Sequence, residues 1–112
     1  MGITKPSKEV VFGDYALKEA WKKASEEDPE LFKQLEKAKQ DLLENAFCGI
    51  QIPKKLIPKE YIKKYNINNL WKYNLPNAWR LLYTIITPNK IEIISVVLDW
   101  MNHKDYERLF KF

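Results

Sequence analysis

The sequence has only one cysteine, Cys48, and no apolar run long enough to cross a membrane. A single cysteine excludes an internal disulfide framework and gives no zinc-ligand spacing, so we expect Cys48 to be a small buried apolar residue. The acidic residues form no cluster with the spacing of a magnesium site, and we expect neither a metal nor a cofactor. The first twelve residues lack the apolar segment of a secretory signal, which predicts a cytoplasmic protein.

Arginine and histidine are also scarce. Arg80 and Arg108 are the two arginines among 19 basic residues, and His103 is the only histidine. An arginine makes planar, two-pronged contact with a phosphate, which a lysine reproduces poorly. Because Arg80 falls inside a predicted strand of a lysine-rich chain, we interpret it as a candidate functional residue.

The charge is unevenly distributed along the 112 residues. Apolar residues make up 46% of the chain, which suits a single folded domain spanning residues 1–112. The net charge of +4 is made up of −2 in residues 1–49 and +6 in residues 50–112. The positive second part favours a polyanion or an acidic protein as partner. The alternative is an ordinary lysine-rich surface that only keeps the protein soluble.

The first half of the chain predicts one strand and two helices. Glu9–Phe12 is a short run of strand-forming residues. Asp14 is a helix N-cap, and the apolar residues after it recur at helical spacing over Tyr15–Ala24. A second N-cap, Asp28, opens a longer helix, which we expect to end at Gly49 as a C-cap residue. Two helices joined by a few residues are expected to pack as an antiparallel hairpin.

Residues 51–69 are the least regular and most basic part of the chain. Their prolines interrupt it, and the pattern predicts a two-turn helix over Pro58–Tyr65. The basic residues of this segment are Lys54, Lys55, Lys59, Lys63 and Lys64. We interpret the segment as an electrostatic wall for nucleic acid, with Tyr61 and Tyr65 placed to stack on bases. The alternative is a solvated connector.

The last part of the chain predicts a three-stranded meander over Leu70–Asn74, Trp79–Ile86 and Ile91–Leu98. The last two strands are apolar at nearly every position, so both of their faces are expected to be covered. The whole pattern predicts an α+β domain: an N-terminal strand, an antiparallel helical hairpin packed on a mostly antiparallel four-stranded sheet, and a short C-terminal turn or helix. The first strand pairs either at an edge of the sheet or between two strands.

Three segments resemble the RelE/ParE superfamily of toxins from type II toxin–antitoxin systems. They are WKY at 71–73, WRLLYTI at 79–85 and NHKDY at 102–106, and they follow a helical hairpin as in that family. The resemblance implies a RelE-like fold and a ribosome-dependent mRNA endonuclease, or mRNA interferase, that cuts without metal. In that reaction the 2′-OH of the RNA attacks the adjacent phosphate. The chemistry requires a base, an acid and cationic stabilisation of the phosphorane.

The resemblance also implies roles for single residues. Arg80 matches the phosphate-stabilising arginine of the family, and Lys72 matches a basic residue of the preceding strand. His103 falls in the turn where the family has its His/Arg pair, and Tyr106 falls near its C-terminal tyrosine. The alternatives are structural: Arg80 would pair with an acidic residue, Glu92 or Asp99, and the other three would be ordinary surface or packing residues.

The resemblance leaves three functions open and implies partners. The first is translation arrest by RNA cleavage, with five lysines binding RNA: Lys54, Lys55, Lys63, Lys64 and Lys104. The second is a ParE-like toxin that inhibits a protein target such as gyrase, and the third is a non-catalytic relative that acts as a binding module. The expected partners of the RNA-cleaving form are mRNA and the ribosome. For either toxin we also expect an acidic, extended antitoxin that folds on binding.

Overall fold

The computed structural model describes residues 5–110, which form an α+β domain in which a helical hairpin precedes a run of three strands. The elements are β1 (Glu9–Phe12), α1 (Tyr15–Glu27), α2 (Pro29–Glu44), β2 (Ile50–Gln51), α3 (Lys59–Tyr65), β3 (Trp71–Leu75), β4 (Trp79–Ile86), β5 (Ile94–Met101) and α4 (His103–Phe110). Short 3-10 helices occur at Lys54–Leu56 and Pro76–Ala78. Of the helices in this part of the chain, none is long and apolar enough to cross a membrane.

The strands form one mixed sheet in the order β1-β5-β4-β3-β2. β3, β4 and β5 pair antiparallel with their neighbours, which confirms the predicted meander. β1 lies parallel to β5 at one edge, the first of the two positions that the sequence left open. The sheet has five strands instead of the expected four, because Ile50 and Gln51 pair with β3 at the other edge. A two-residue strand is too short to show an alternating pattern.

Aspartates cap both long helices, as predicted. Asp14 Oδ1 accepts a hydrogen bond from the Leu17 N–H at 2.8 Å, and α1 continues three residues past the predicted end at Ala24. Asp28 serves both helices: its N–H donates to the Ala24 carbonyl at 2.9 Å, and its side chain accepts from the Leu31 N–H at 3.2 Å. The hairpin turn is therefore closed by a single residue.

The predicted end of α2 is wrong: the helix stops at Glu44, well before Gly49. Asn45 ends it in extended conformation, and its Oδ1 accepts the Phe47 N–H at 3.0 Å. Gly49 has a different role, because a Cβ there would lie 2.6 Å from the Lys72 carbonyl oxygen. The glycine allows the chain to pass close to the sheet.

The strand bounds were predicted closely but not uniformly. β4 has the predicted bounds, and β3 is shifted by one residue. β5 begins at Ile94, three residues later than expected, and ends at Met101. The reason is a turn in which Asn89 Oδ1 accepts hydrogen bonds from the Ile91 and Glu92 N–H groups, both at 2.8 Å. Side-chain to backbone bonds of this kind replace the ladder that the apolar sequence predicts.

Each face of the sheet carries its own core, so the expectation that β4 and β5 are covered on both faces is confirmed. The hairpin α1–α2 packs on one face. The fully buried residues of the core between hairpin and sheet include Leu35, Ala38, Leu42, Leu81, Tyr83 and Val97. The helices α3 and α4 pack on the other face, where the buried residues are Ile52, Ile57, Tyr61, Leu70, Leu82, Leu98 and Tyr106. Successive residues of β4 contribute to opposite cores, as strand geometry requires.

The expectation that Cys48 is buried is wrong. Its side chain is exposed, in the segment between α2 and β2. Because α2 stops at Glu44, Cys48 does not lie on the apolar face of a helix.

Candidate nucleic-acid interface

Lys72 and Arg80 lie on the same face of the sheet, in neighbouring strands. The register pairs Lys72 with Leu82 and Asn74 with Arg80, so the two basic residues are diagonal neighbours. This is the face covered by α3 and α4, because Leu82 belongs to that core. Sequence analysis proposed both residues, and the register brings them together.

Tyr106 of α4 contacts both cations through its ring. The Lys72 Nζ lies 5.4 Å and the Arg80 Cζ lies 5.7 Å from the ring centroid, within the range of a cation–π interaction. The ring is only 6% exposed and packs against Phe110 at 4.7 Å. Burial raises the pKa of the Tyr106 phenol, and the positive charge of Arg80 opposes this shift. We name these three residues, Lys72, Arg80 and Tyr106, the cation cluster.

Arg80 makes no ion pair within residues 5–110, so neither structural alternative for it is realised. Its Nη1 donates to the Trp79 carbonyl at 3.1 Å, and its buried Nε has no hydrogen-bond partner. Glu92 pairs with Lys8 at 3.2 Å instead. Asp99 accepts a hydrogen bond from Tyr61. A half-buried guanidinium with an unused donor is suited to bind an anion.

Asp99 is occupied by two donors on the side of the sheet that α3 covers. The Tyr61 hydroxyl donates to Oδ2 at 3.0 Å, and the Trp100 N–H donates to Oδ1 at 2.8 Å. Burial raises the pKa of the Asp99 carboxyl, although both hydrogen bonds oppose the shift. The pKa of the Tyr61 phenol is raised by burial first and by the negative charge of Asp99 second. Tyr61 is therefore a core residue, and the sequence-based expectation that it stacks on a base does not fit its buried ring.

His103 is the first residue of α4 and is about half exposed. The preceding strand ends at Met101, which pairs with Arg80 in the register, so His103 and Arg80 lie at the same end of the sheet. Its Nε2 contacts the Glu107 carboxylate one helical turn away. In the part of the chain that the structure describes, His103 forms no hydrogen bond or ion pair with Lys72 or Arg80.

The five lysines proposed to bind RNA differ in their surroundings. Lys54 and Lys55 are exposed on the 3-10 helix after β2, and Lys104 is exposed on α4. Lys63 is exposed on α3. Lys64 differs from the others because it forms an ion pair with Asp14 at 3.2 Å. Its hydrogen bond with Tyr65, and then that with Asp14, raise the pKa of the lysine.

A cleft of about 170 Å³ connects the cation cluster to the basic segment. Ile52, Pro53, Lys72, Tyr106 and Phe110 are among its lining residues. Lys54 and Lys55 follow Pro53 directly. Of the proposed basic residues, Lys72 lines the cleft, whereas Lys54, Lys55, Lys63 and Lys64 do not.

The sequence contains a helical signal for the burial of Tyr106 in the cation cluster. Tyr106, Leu109 and Phe110 recur at i, i+3 and i+4, the spacing of one apolar helix face. That spacing predicts a buried Tyr106 ring, which the structure shows.

Comparisons with known proteins add no relative: no protein-family model, no curated protein and no solved structure matches the chain. The resemblance to the RelE/ParE superfamily stays a prediction.

Proposed function

We propose that the protein is the toxin of a type II toxin–antitoxin system, a RelE-like mRNA interferase that cleaves ribosome-bound message. The observation that carries the proposal is the cation cluster: Lys72 and Arg80 meet at the ring of Tyr106, and within residues 5–110 neither of them forms an ion pair. A guanidinium and an ammonium group on one sheet face are suited to bind a phosphodiester.

In the proposed reaction the RNA supplies its own nucleophile. The 2′-oxygen forms a bond to the adjacent phosphorus while the bond from phosphorus to the 5′-oxygen breaks, leaving a 2′,3′-cyclic phosphate and a 5′-hydroxyl. One proton leaves the 2′-OH, and one is delivered to the 5′-oxygen. Lys72 and Arg80 stabilise the negative charge that develops on the phosphorane. His103 is the group proposed to exchange a proton with the RNA, since an imidazole can both accept and donate a proton.

Tyr106 has a positioning role in this proposal. Its buried ring holds the two cations near each other, and in this conformation it does not stack on a base. Lys54, Lys55 and Lys104 follow the RNA backbone beside the cluster, and Lys63 and Lys64 extend the positive surface along α3. The proposed protein partners are the ribosome and an acidic, extended antitoxin, and the proposed location is the cytoplasm.

The matched pair Arg80→Ala and Arg108→Ala tests the proposal. Arg108 is exposed and pairs with Asp105 at 3.4 Å, so it controls for loss of one arginine charge. Inducible expression of the unaltered protein is expected to arrest amino-acid incorporation and to create new message ends that carry cyclic phosphates. Arg80→Ala is expected to lower cleavage of ribosome-bound message by about 10²–10³-fold, whereas Arg108→Ala leaves it unchanged.

The structure also favours one alternative enough to test it beside the first. Tyr106 is buried over both cations, and His103 contacts Glu107, an arrangement that also suits a binding module without cleavage. Mapping message ends after induction separates the two. Intact messages in arrested cells would contradict the nuclease, and accompanying DNA damage would indicate a gyrase-directed, ParE-like toxin. Retained cleavage in the Arg80→Ala variant would contradict the role of the cation cluster.

A further inference from the structure

A groove of about 350 Å³ runs between α1 and α2, on the opposite side of the sheet from the cation cluster. Three aromatic residues line it: Phe12 of β1, Trp21 of α1 and Phe32 of α2. The rings of Phe12 and Trp21 meet edge to face at 5.1 Å. The Trp21 indole N–H donates to Glu36 Oε2 at 2.6 Å, so the one acidic residue of the groove is occupied. We name this the hairpin groove.

Three lysines also line the hairpin groove: Lys18, Lys22 and Lys39. Within residues 5–110 none of them forms an ion pair, although Lys37 on the same helix as Lys39 pairs with Asp41. The groove is therefore locally positive, in the half of the chain whose net charge is −2. An aromatic-lined groove with unpaired ammonium groups is complementary to a ligand that is both apolar and acidic.

We propose that the hairpin groove binds an acidic peptide segment, which packs a leucine or phenylalanine side chain against the partly exposed rings of Phe12 and Phe32 and places carboxylates beside the three lysines. A peptide fits better than RNA for two reasons. A bulky aliphatic or aromatic side chain matches the aromatic lining. The turn of the same hairpin carries Glu26, Glu27, Asp28 and Glu30, which repel a continuous polyanion.

This site lies outside the proposed nuclease machinery, because no residue of the cation cluster lines it. Where the proposed antitoxin supplies the segment, the inference rests on the proposed function. Binding to the purified protein tests it without RNA cleavage, so failure of one proposal is distinguishable from failure of the other.

The probe is the synthetic peptide acetyl-Glu-Glu-Leu-Phe-Glu-Glu-amide, titrated by calorimetry and by ¹H–¹⁵N correlation spectra. We expect saturable binding that shifts the Trp21 indole signal. The double variant Lys18→Glu/Lys22→Glu is expected to weaken binding about tenfold or more. The charge-matched control Lys23→Glu/Lys33→Glu uses exposed lysines of the same helices that do not line the groove, and it is expected to stay within about twofold.

Several results would overturn the inference. Equal weakening by both double variants would show non-specific attraction, and equal binding of a peptide with two serines in place of Leu-Phe would remove the apolar contact. An indole shift caused by a uridine oligonucleotide but not by the peptide would assign the groove to RNA. An indole shift that appears on raising the protein concentration alone would assign it to a second copy of the chain.

Discussion

Replacing Tyr83 by phenylalanine removes the oxygen atom that holds the segment between α2 and β2 against the sheet. The Tyr83 side chain is fully buried in β4. Its hydroxyl donates to the Ala46 carbonyl at 2.8 Å and accepts the Gly49 N–H at 3.0 Å. Both contacts join residues more than thirty positions apart in sequence. The segment leads into β2 and the basic residues that follow it, so this oxygen supports the side of the sheet that carries Lys72.

The magnitude follows from the two groups that lose their partner. Phenylalanine keeps the ring and its stacking on Trp71, so packing is preserved. The Ala46 carbonyl belongs to a fully buried residue, and an unsatisfied group of this kind costs about 1–3 kcal/mol. The Gly49 N–H is only partly buried and adds about 0.5–1 kcal/mol. We expect a loss of about 1.5–4 kcal/mol in the free energy of unfolding, which lowers the melting temperature of a domain this size by about 6–17 °C.

Urea and thermal unfolding, followed by circular dichroism, measure this change directly. Tyr15→Phe is the matched control. Because Tyr15 is 73% exposed, loss of its hydroxyl is expected to leave the unfolding midpoint unchanged. A Tyr83→Phe variant within about 0.5 kcal/mol of the unaltered protein would refute the reasoning, since it would mean that Ala46 and Gly49 find other partners.

Two further changes test other parts of the fold. Gly49→Ala places a Cβ 2.6 Å from the Lys72 carbonyl oxygen and is expected to lower the free energy of unfolding in urea by about 1–3 kcal/mol. Gly13→Ala is expected to cost less, because the atoms nearest to a Cβ at Gly13 belong to side chains that can move. Equal costs of the two changes would contradict the role assigned to the Lys72 carbonyl oxygen. The pKa of Asp41 is lowered mainly by the hydrogen bond from Tyr73, so its carboxylate stabilises the fold above its ordinary pKa and loses this effect as pH falls through the lowered value. The stability advantage of the unaltered protein over Asp41→Asn should therefore shrink in urea titrations as pH falls below the ordinary aspartate pKa, and a constant difference would show that the charge of Asp41 plays no part.

Local chemistry explains the features of the fold that could be predicted. Asp14 and Asp28 cap the helices through bonds to N–H groups three residues away, which depend on no distant part of the chain. The strand Trp79–Ile86 is also predictable from local sequence, because its β-branched and aromatic residues favour an extended backbone whichever face of the sheet they lie on. These features were predicted to within a few residues.

The features that were missed depend on distant contacts. β2 consists of two residues that are strand only because Lys72 and Trp71 lie opposite them. Gly49 reads as a helix C-cap in sequence, and only the approach of the Lys72 backbone shows why a glycine is needed there. Asn45, which ends α2, has no pattern that distinguishes it from an ordinary polar residue of a helix surface.

The candidate site combines both cases. Lys72 and Arg80 were identifiable as basic residues in predicted strands, and their convergence followed from strand pairing. The direction of the Tyr106 ring depends on how α4 docks on the sheet. Because α4 is short, its docking is determined by the apolar residues beneath it and not by the helix itself. Its burial has a consequence for function: two like charges beside one ring repel each other in the free protein, and an anion between them relieves that repulsion. The arrangement therefore favours an anion over a neutral ligand while α4 keeps the ring in place.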